Sequence, residues 1–407
     1  MRLFGSETPM PGPISAEVPP VIIVGAGPVG LTLALGLVSR GVRVEVYEAL
    51  PTLSPEARCS TIHPASLEIF DEFGAVDTVL AHGHRVQKLQ YWEREARTVV
   101  AELEYSAIAD DAKFPFRVQC PQSVLTRVLK PKVEASPLGA VHMGHRLVSF
   151  EDDGQGVTAH FETETGAKVV TGRYLCGCDG ASSTTRHHLG LSFEGDRYAD
   201  RFLLVPTDVD LRAHFPGLAA ASYFFSPEEW TITLQLPDVT RIVFRVGRDE
   251  DADTLLQDDN IRKRIWKFLG RETPFTIHAK SIYNVHKRAA DTFRVGNVLL
   301  VGDAAHLNNP MGGMGMNGGI QDAYVLAHLL PAVLAGGPES LLDEYNAQRM
   351  AAQTDMVHVR TDKNYRDMTA KTDAARRDRN AEFAAIAADP RATRKYLLEA
   401  SMLGHRV

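Results

Sequence analysis

The chain has 407 residues, of which 44% are hydrophobic and 23% charged, with a formal net charge of −7. That balance is ordinary for a globular protein of two or three domains, and it offers no bulk basic surface to nucleic acid. No uninterrupted apolar run approaches transmembrane length, and four cysteines in so long a chain make no disulfide framework, so the cytoplasm is the expected compartment.

Residues 1–19, with Pro9, Pro11, Pro13 and Pro19 among them, lack a basic-then-apolar signal pattern and read as a flexible tail. The apolar run 20–25 then predicts a strand, 28–40 a helix and 42–48 a second strand. Gly25, Gly27 and Gly30 stand in that unit at G-x-G-x-x-G spacing. Gly25 suits a tight turn, Gly27 leaves room for a pyrophosphate, and Gly30 allows close packing of helix on strand. Free N–H groups at the helix start face the anion, and Pro28 suits a first turn that needs no donor. Glu48 follows Gly30 by eighteen residues. There its carboxylate can accept from ribose hydroxyls and would repel a 2′-phosphate. Alone, this unit says only that a dinucleotide is held.

Helical patterns continue at 64–73 and 76–81. Strands are expected within 86–105 and an amphipathic helix over 121–130. Segments 141–150, 156–162 and 168–178 read as consecutive strands joined by Asp-Gly and Thr-Gly turns. Cys176 and Cys178, with His187 and His188 beyond them, read as core thiols and neighbouring histidines, so no metal is expected. His82, His84, His142 and His145 fall near turns and read as solvated. Asp179-Gly180 opens a further strand-to-helix junction with Ser183 and Arg186. Asp179 can serve the cofactor or a nicotinamide donor, while Ser183 also reads as an ordinary helix cap.

Short strands recur from 195 to 285, and 262–269 reads as a helix. The buried strand 298–301 ends in Gly302-Asp303, where an acid faces the ligand crevice of a parallel sheet. Asp303 can accept from the hydroxyls of an extended ribityl chain. The loop 310–319 carries five glycines, which let its backbone approach a flat ring. Gly315, Met316 and Asn317 stand where a helix running to 335 is expected to begin, its positive end toward that ring. Residues from 339 onward read as charged helices. The phosphate loop and the distant Gly-Asp loop together point to FAD.

The expected architecture is α/β (α+β overall): a discontinuous Rossmann-like FAD-binding domain (20–85, 106–194 and 286–335), a β-sheet substrate domain (86–105 and 195–285) and C-terminal helices (336–407). A cleft between the two main bodies is the expected small-molecule site.

The set Gly25-x-Gly27-x-x-Gly30, Asp179-Gly180-x-x-Ser183-x-x-Arg186 and Gly302-Asp303-Ala-Ala-His306-x-x-x-Pro310 resembles the single-component FAD-dependent aromatic hydroxylases, the p-hydroxybenzoate hydroxylase and phenol hydroxylase class. The resemblance covers about 20–360. It implies that NADH or NADPH reduces FAD, that O₂ then forms a flavin C4a-hydroperoxide, and that a small phenolic or N-heteroaromatic substrate is hydroxylated. It implies FAD contacts from Arg58 and Gln122, which match that family's segments, and a Tyr223 that bonds the substrate hydroxyl and relays a proton. It also puts Arg241 over the flavin, the carbonyl of Pro310 against its ring, and Gln235 at the substrate. Asn309, His63 and His286 are further candidates for the cavity wall. The family's p-hydroxybenzoate members carry an arginine where this chain reads Leu234-Gln235-Leu236, so p-hydroxybenzoate is not the expected substrate.

Other readings are a halogenase or reductase of the same fold, an NAD-dependent dehydrogenase, and a non-enzymatic flavoprotein. No Trp-x-Trp-x-Ile segment surrounds Trp92, Trp230 or Trp266, and a dehydrogenase leaves 302–319 unexplained. The expected partners are a small aromatic molecule, with no nucleic acid and no membrane, and the chain is expected as a monomer or homodimer.

Overall fold

The computed structural model describes residues 14–15, 17–56 and 59–403. Strand Val21–Val24 is fully buried and lies between strands Tyr174–Gly177 and Val44–Tyr47, parallel to both. The sheet it centres has six strands, with Gly139–His142 at one edge and Val298–Leu300 then Arg294–Val295 at the other. All pairings are parallel except the last. Such strands are covered on both faces, which is why 21–24 reads Val-Ile-Ile-Val without alternation. Helix Pro28–Val38 packs on this sheet beneath helices Gln122–Glu134 and Met314–Leu334. It is buried on every side, consistent with its unbroken apolar sequence.

A second sheet of eight strands runs in the order His306–Leu307, Ser281–Ala290, Phe193–Thr207, Thr240–Val246, Thr231–Gln235, Ala221–Phe225, Lys88–Glu93 and Thr98–Glu104. Its pairs are antiparallel except that between Ala221–Phe225 and Lys88–Glu93. Alternation along these strands builds two separate cores. Trp92, Leu203, Phe224, Ile242 and Phe244 face helix Asp258–Leu269. Tyr91, Phe202, Tyr223, Ile232 and Val243 face the other way, toward the glycine loop and the C-terminal helices.

Two expected strands are in fact broken. The stretch 168–178 divides at Arg173: Gly166–Gly172 pairs antiparallel in a separate three-stranded sheet, and Tyr174–Gly177 joins the parallel one. The stretch 141–150 divides likewise at Gly144, whose φ of 70° turns the chain between Gly139–His142 and Arg146–Asp152. His142 and His145 are half-buried against Tyr47 rather than solvated; the His142 ring stacks on it at 4.7 Å. The C-terminal residues form helices Ser340–Ala351, Val359–Met368, Asp373–Ala388 and Pro390–Ala400, with a π-helical turn at Ala352–His358. They are not an appendage. Phe383 and Tyr396 pack against Tyr91, and Arg379 pairs with Glu93 at 2.9 Å, closing the sheet from behind.

Candidate active site

The phosphate loop is set by steric contact at its first glycine. Gly25 has φ of +104°, and a Cβ there would lie 2.5 Å from the carbonyl oxygen of Cys178, just past the end of the neighbouring strand. Only glycine fits both demands. Gly27 caps helix Pro28–Val38 without any side-chain bond, and a Cβ at Gly27 would meet no atom within 4 Å. The helix start therefore opens on a hollow lined by backbone donors, the shape and polarity a pyrophosphate needs. Glu48 stands beside it: its Oε2 accepts from Ala26 N–H at 2.8 Å and its Oε1 from Leu50 N–H at 2.9 Å. The carboxylate is held at the end of its strand, next to the glycine turn. These residues fit the pyrophosphate and ribose of a dinucleotide.

A cleft of about 500 Å³ lies between the glycine-rich loop and the eight-stranded sheet. Asp303, Pro310, Gly315 and Met316 line it on the loop side. Asp303 sits in a 3₁₀ turn just past strand Val298–Leu300, which gives the carboxylate its place at the carboxyl end of the parallel sheet. Tyr223, Ile232, Leu234, Arg241 and Val243 form the sheet side, with His286 on a neighbouring strand. Arg241 is buried and donates to Ser60 Oγ at 3.0 Å; burial pulls its guanidinium below the usual range.

The loop is pinned by two buried polar groups. His63 Nε2 bonds the carbonyl of Gly312 at 2.9 Å, and burial, helped by Arg117, pushes this imidazole well below its ordinary range, so it is neutral. Beneath the next strand end, Asp322 accepts from His306 Nε2 and Arg349 Nε, each at 2.6 Å, and from Gly302 N–H at 3.1 Å. Burial alone would raise the Asp322 carboxyl, but His306 and Arg349 outweigh it and hold it down at about 2.

Several expected site residues spend their side chains on the protein itself. The helix starts at Met314, capped by Gly313 at φ +71°, three residues before Asn317. Asn317 is thus inside the first turn and fully buried. Its oxygen accepts from His63 N–H and Ser66 Oγ, and its amide donates to the carbonyls of Thr61 and Gly313. All four hydrogen bonds of its side chain are spent within the protein, so the side chain fastens the loop. Asp179 accepts from Ser183 Oγ at 2.6 Å and from Thr185 N–H and Oγ1 at 2.9 and 3.0 Å, so it serves the start of helix Thr184–His188. Arg186 donates to the carbonyls of Ala304 and Ala181, tying that junction to the Gly-Asp turn.

Gln235 faces away from the cleft. Leu234 and Ile232 point into it, so by strand alternation Thr233 and Gln235 line a separate hollow of about 340 Å³ on the opposite face, where Gln235 bonds Leu236, Val239 and Thr240. Asn309 is buried with its oxygen on Met311 N–H, and Asn308 lines the cleft in its place. The expectation against p-hydroxybenzoate rested on the apolar Leu234, which does line the cleft, and Arg241 stands in the same wall. Gln122 opens helix Gln122–Glu134 and exchanges hydrogen bonds with Cys59, which lines the cleft. Arg58 lies outside the described residues.

Sequence reading missed Tyr283 on the cleft wall, and Arg117, Tyr91 and Tyr396 behind Tyr223. Tyr283 alternates correctly along strand Ser281–Ala290 and could have been found by counting parity. The others come together only through long-range packing.

A family model described as an FAD binding domain matches residues 19–360. The chain is 31% identical over 394 residues to a para-nitrophenol 4-monooxygenase of Pseudomonas sp. (strain WBC-3), covering 95% of this chain and 96% of that one. It is 31% identical over 364 residues to a 6-hydroxy-3-succinoylpyridine 3-monooxygenase of Pseudomonas putida (strain DSM 28022 / S16), covering 86% and 88%. The crystal structure of a p-nitrophenol 4-monooxygenase from Pseudomonas putida DLL-E4 superposes with a TM-score of 0.87 at 28% identity, over 96% of this chain and 98% of that one. With the phosphate cradle, the Gly-Asp turn and the cleft in place, the chain belongs to the FAD-binding family of flavin-dependent aromatic monooxygenases.

Proposed function

We propose that this enzyme adds one oxygen atom to a compact phenolic or hydroxylated N-heteroaromatic ring, with NADH or NADPH as electron donor. The observation that carries this reading is the cleft itself: one wall is a glycine loop shaped for a flat ring, the other an apolar sheet bearing the hydroxyl of Tyr223. About 500 Å³ must admit both the cofactor's ring system and the substrate, which favours a single-ring molecule. The relatives named for a nitrophenol and a hydroxypyridine support the same chemical class.

Bound FAD supplies the electron transfer from the nicotinamide donor and the activation of O₂. The chain's own residues divide the remaining work. Gly25, Gly27 and the helix start would hold the pyrophosphate of FAD, Glu48 its ribose and Asp303 its ribityl hydroxyls, while Pro310, Gly315 and Met316 line the part of the cleft that would receive its ring. Ile232, Leu234 and Val243 exclude water from the reacting ring. Tyr223 orients the substrate oxygen. The buried thiols of Cys120, Cys176 and Cys178 support a cytoplasmic location.

The test is a screen of phenols, aromatic acids and hydroxypyridines for acceleration of NAD(P)H consumption, with product masses measured. A product heavier by one oxygen atom is expected. Purified protein that carries no FAD and takes up none, or an NAD(P)H consumption that no aromatic compound accelerates, overturns the reading.

A further inference from the structure

Strand Thr231–Gln235 is a wall shared by two spaces. Ile232 and Leu234 face the cleft, whereas Thr233 and Gln235 face the hollow of about 340 Å³ on the other side. That hollow takes no part in holding FAD or the aromatic ring.

Two of its polar groups are engaged within the protein. The Gln235 amide donates to the carbonyls of Leu236 and Val239, and its oxygen accepts from Thr240 Oγ1 at 3.0 Å. Asp210 Oδ1 accepts from Arg212 N–H at 3.0 Å and from Ala213 N–H at 3.4 Å, capping its own 3₁₀ turn. Three other groups are not engaged. Thr233 is 2% exposed, and its buried hydroxyl meets no hydrogen-bond partner. Among the described residues, no hydrogen bond or ion pair holds the Arg212 guanidinium or the His84 imidazole, which stand in the same wall. Burial, helped by the Arg212 charge, pulls the His84 imidazole below its usual range, so at neutral pH it is uncharged.

These three groups share a hydrogen to give: a guanidinium only donates, and a hydroxyl and a neutral imidazole each offer one more. A buried hydroxyl left without a partner is costly, and a ligand that accepts from it removes that cost. The matching group is a planar acceptor with one negative charge, which an arginine fork grips through two parallel bonds. Asp210, in the same wall, would repel a second charge. Val209, Leu218, Ala220 and Pro237 supply an apolar flank for the body of the ligand.

We propose that this hollow is a second small-molecule site, one that takes a monocarboxylate with a compact apolar body, gripped by Arg212, Thr233 and His84. The probe is 4-fluorobenzoate, titrated into the holoenzyme and followed by its fluorine NMR signal. Arg212→Gln should weaken its binding roughly 10- to 100-fold, the loss expected for a charge-assisted hydrogen bond. Thr233→Val should weaken it about 3- to 10-fold. The same Thr233→Val should leave the melting temperature of the ligand-free holoenzyme unchanged or higher, because a methyl of the same shape replaces an unpaired hydroxyl. A purely structural role for Thr233 would show the reverse, a lower melting temperature at full affinity. Inorganic phosphate, which carries more charge, should bind at least about tenfold more weakly than the carboxylate.

No binding to the unmodified enzyme overturns the proposal, and so does an affinity that either substitution leaves unchanged, since the probe would then sit in the cleft or elsewhere. Phosphate binding as tight as that of the carboxylate overturns the class of ligand. Should Thr233→Val fail to fold, Arg212→Gln still decides, because Arg212 is exposed and anchors nothing else among the described residues.

Discussion

A Cβ added to Gly30 would stand 2.0 Å from the carbonyl oxygen of Gly25, inside the body of the phosphate loop. Gly27, between them, has open space in the same direction. The two glycines should therefore fail differently. Gly30→Ala forces backbone apart and should lower the melting temperature of the protein freed of FAD. Gly27→Ala should leave that melting temperature unchanged, yet weaken FAD binding by filling the hollow meant for the pyrophosphate. Thermal melts with and without FAD, alongside an FAD titration, separate the two. Equal loss of stability in both variants would argue that the hollow at Gly27 is not the phosphate site.

Glu48 is already bonded to Ala26 N–H before any ligand arrives, so it fixes the glycine turn as well as offering an oxygen to ribose. Removing a charge-assisted hydrogen bond of this kind costs about 1.5–3 kcal/mol. Glu48→Ala should weaken FAD binding by roughly 10- to 100-fold. Quenching of flavin fluorescence on titration of the FAD-free protein measures it. Glu48→Gln keeps an acceptor for Ala26 and should lose less.

Asp322 ties three separated segments through His306, Arg349 and Gly302 N–H. Asp322→Ala leaves Arg349 buried without its anion and should cost about 3–5 kcal/mol in denaturant unfolding. The carboxyl sits at about 2 in the folded protein against an ordinary 3.8. Its folded value is the lower, so the stabilisation is complete above about pH 4 and disappears as pH falls through about 2. Each tenfold change in proton affinity corresponds to roughly 1.4 kcal/mol, so the acid limb amounts to about 2 kcal/mol. Asp322→Asn should lack that limb in urea melts taken between pH 5 and pH 2.

The phosphate loop, Glu48 and the Gly-Asp turn were legible because their chemistry requires fixed local spacing, which survives in a linear reading. Asn317 was legible as a position near a helix start, but the work of its side chain was not. Three of its four partners lie some 250 residues away, on the segment 61–66. Gln235 was misplaced for a simpler reason: on a strand, neighbours face opposite ways, and Leu234 holds the cleft side. Arg117 offered no local signal at all. Only the folded chain shows that tyrosines stand about it, arriving from residues 91 to 396. The C-terminal helices were visible as helices, but their charge-rich sequence hid the apolar face formed by Phe383, Tyr396 and Leu397.

Tyr223 provides the remaining test. Its ring is held by stacking on Tyr91 at 5.2 Å, so Tyr223→Phe should keep the ring in place and remove only the hydroxyl. The loss of one hydrogen bond to a charged acceptor corresponds to about 1.5–3 kcal/mol. Substrate affinity for an ionisable phenol should then fall roughly 10- to 100-fold, while FAD content and thermal stability stay near those of the unmodified enzyme. The fraction of NAD(P)H consumption that ends in hydroxylated product should fall as well, because a ring that is not held by its oxygen is not presented to the cofactor in one orientation. Product yield per NAD(P)H, read at saturating substrate, is the decisive measurement. An unchanged yield would remove Tyr223 from the mechanism, whatever happens to affinity.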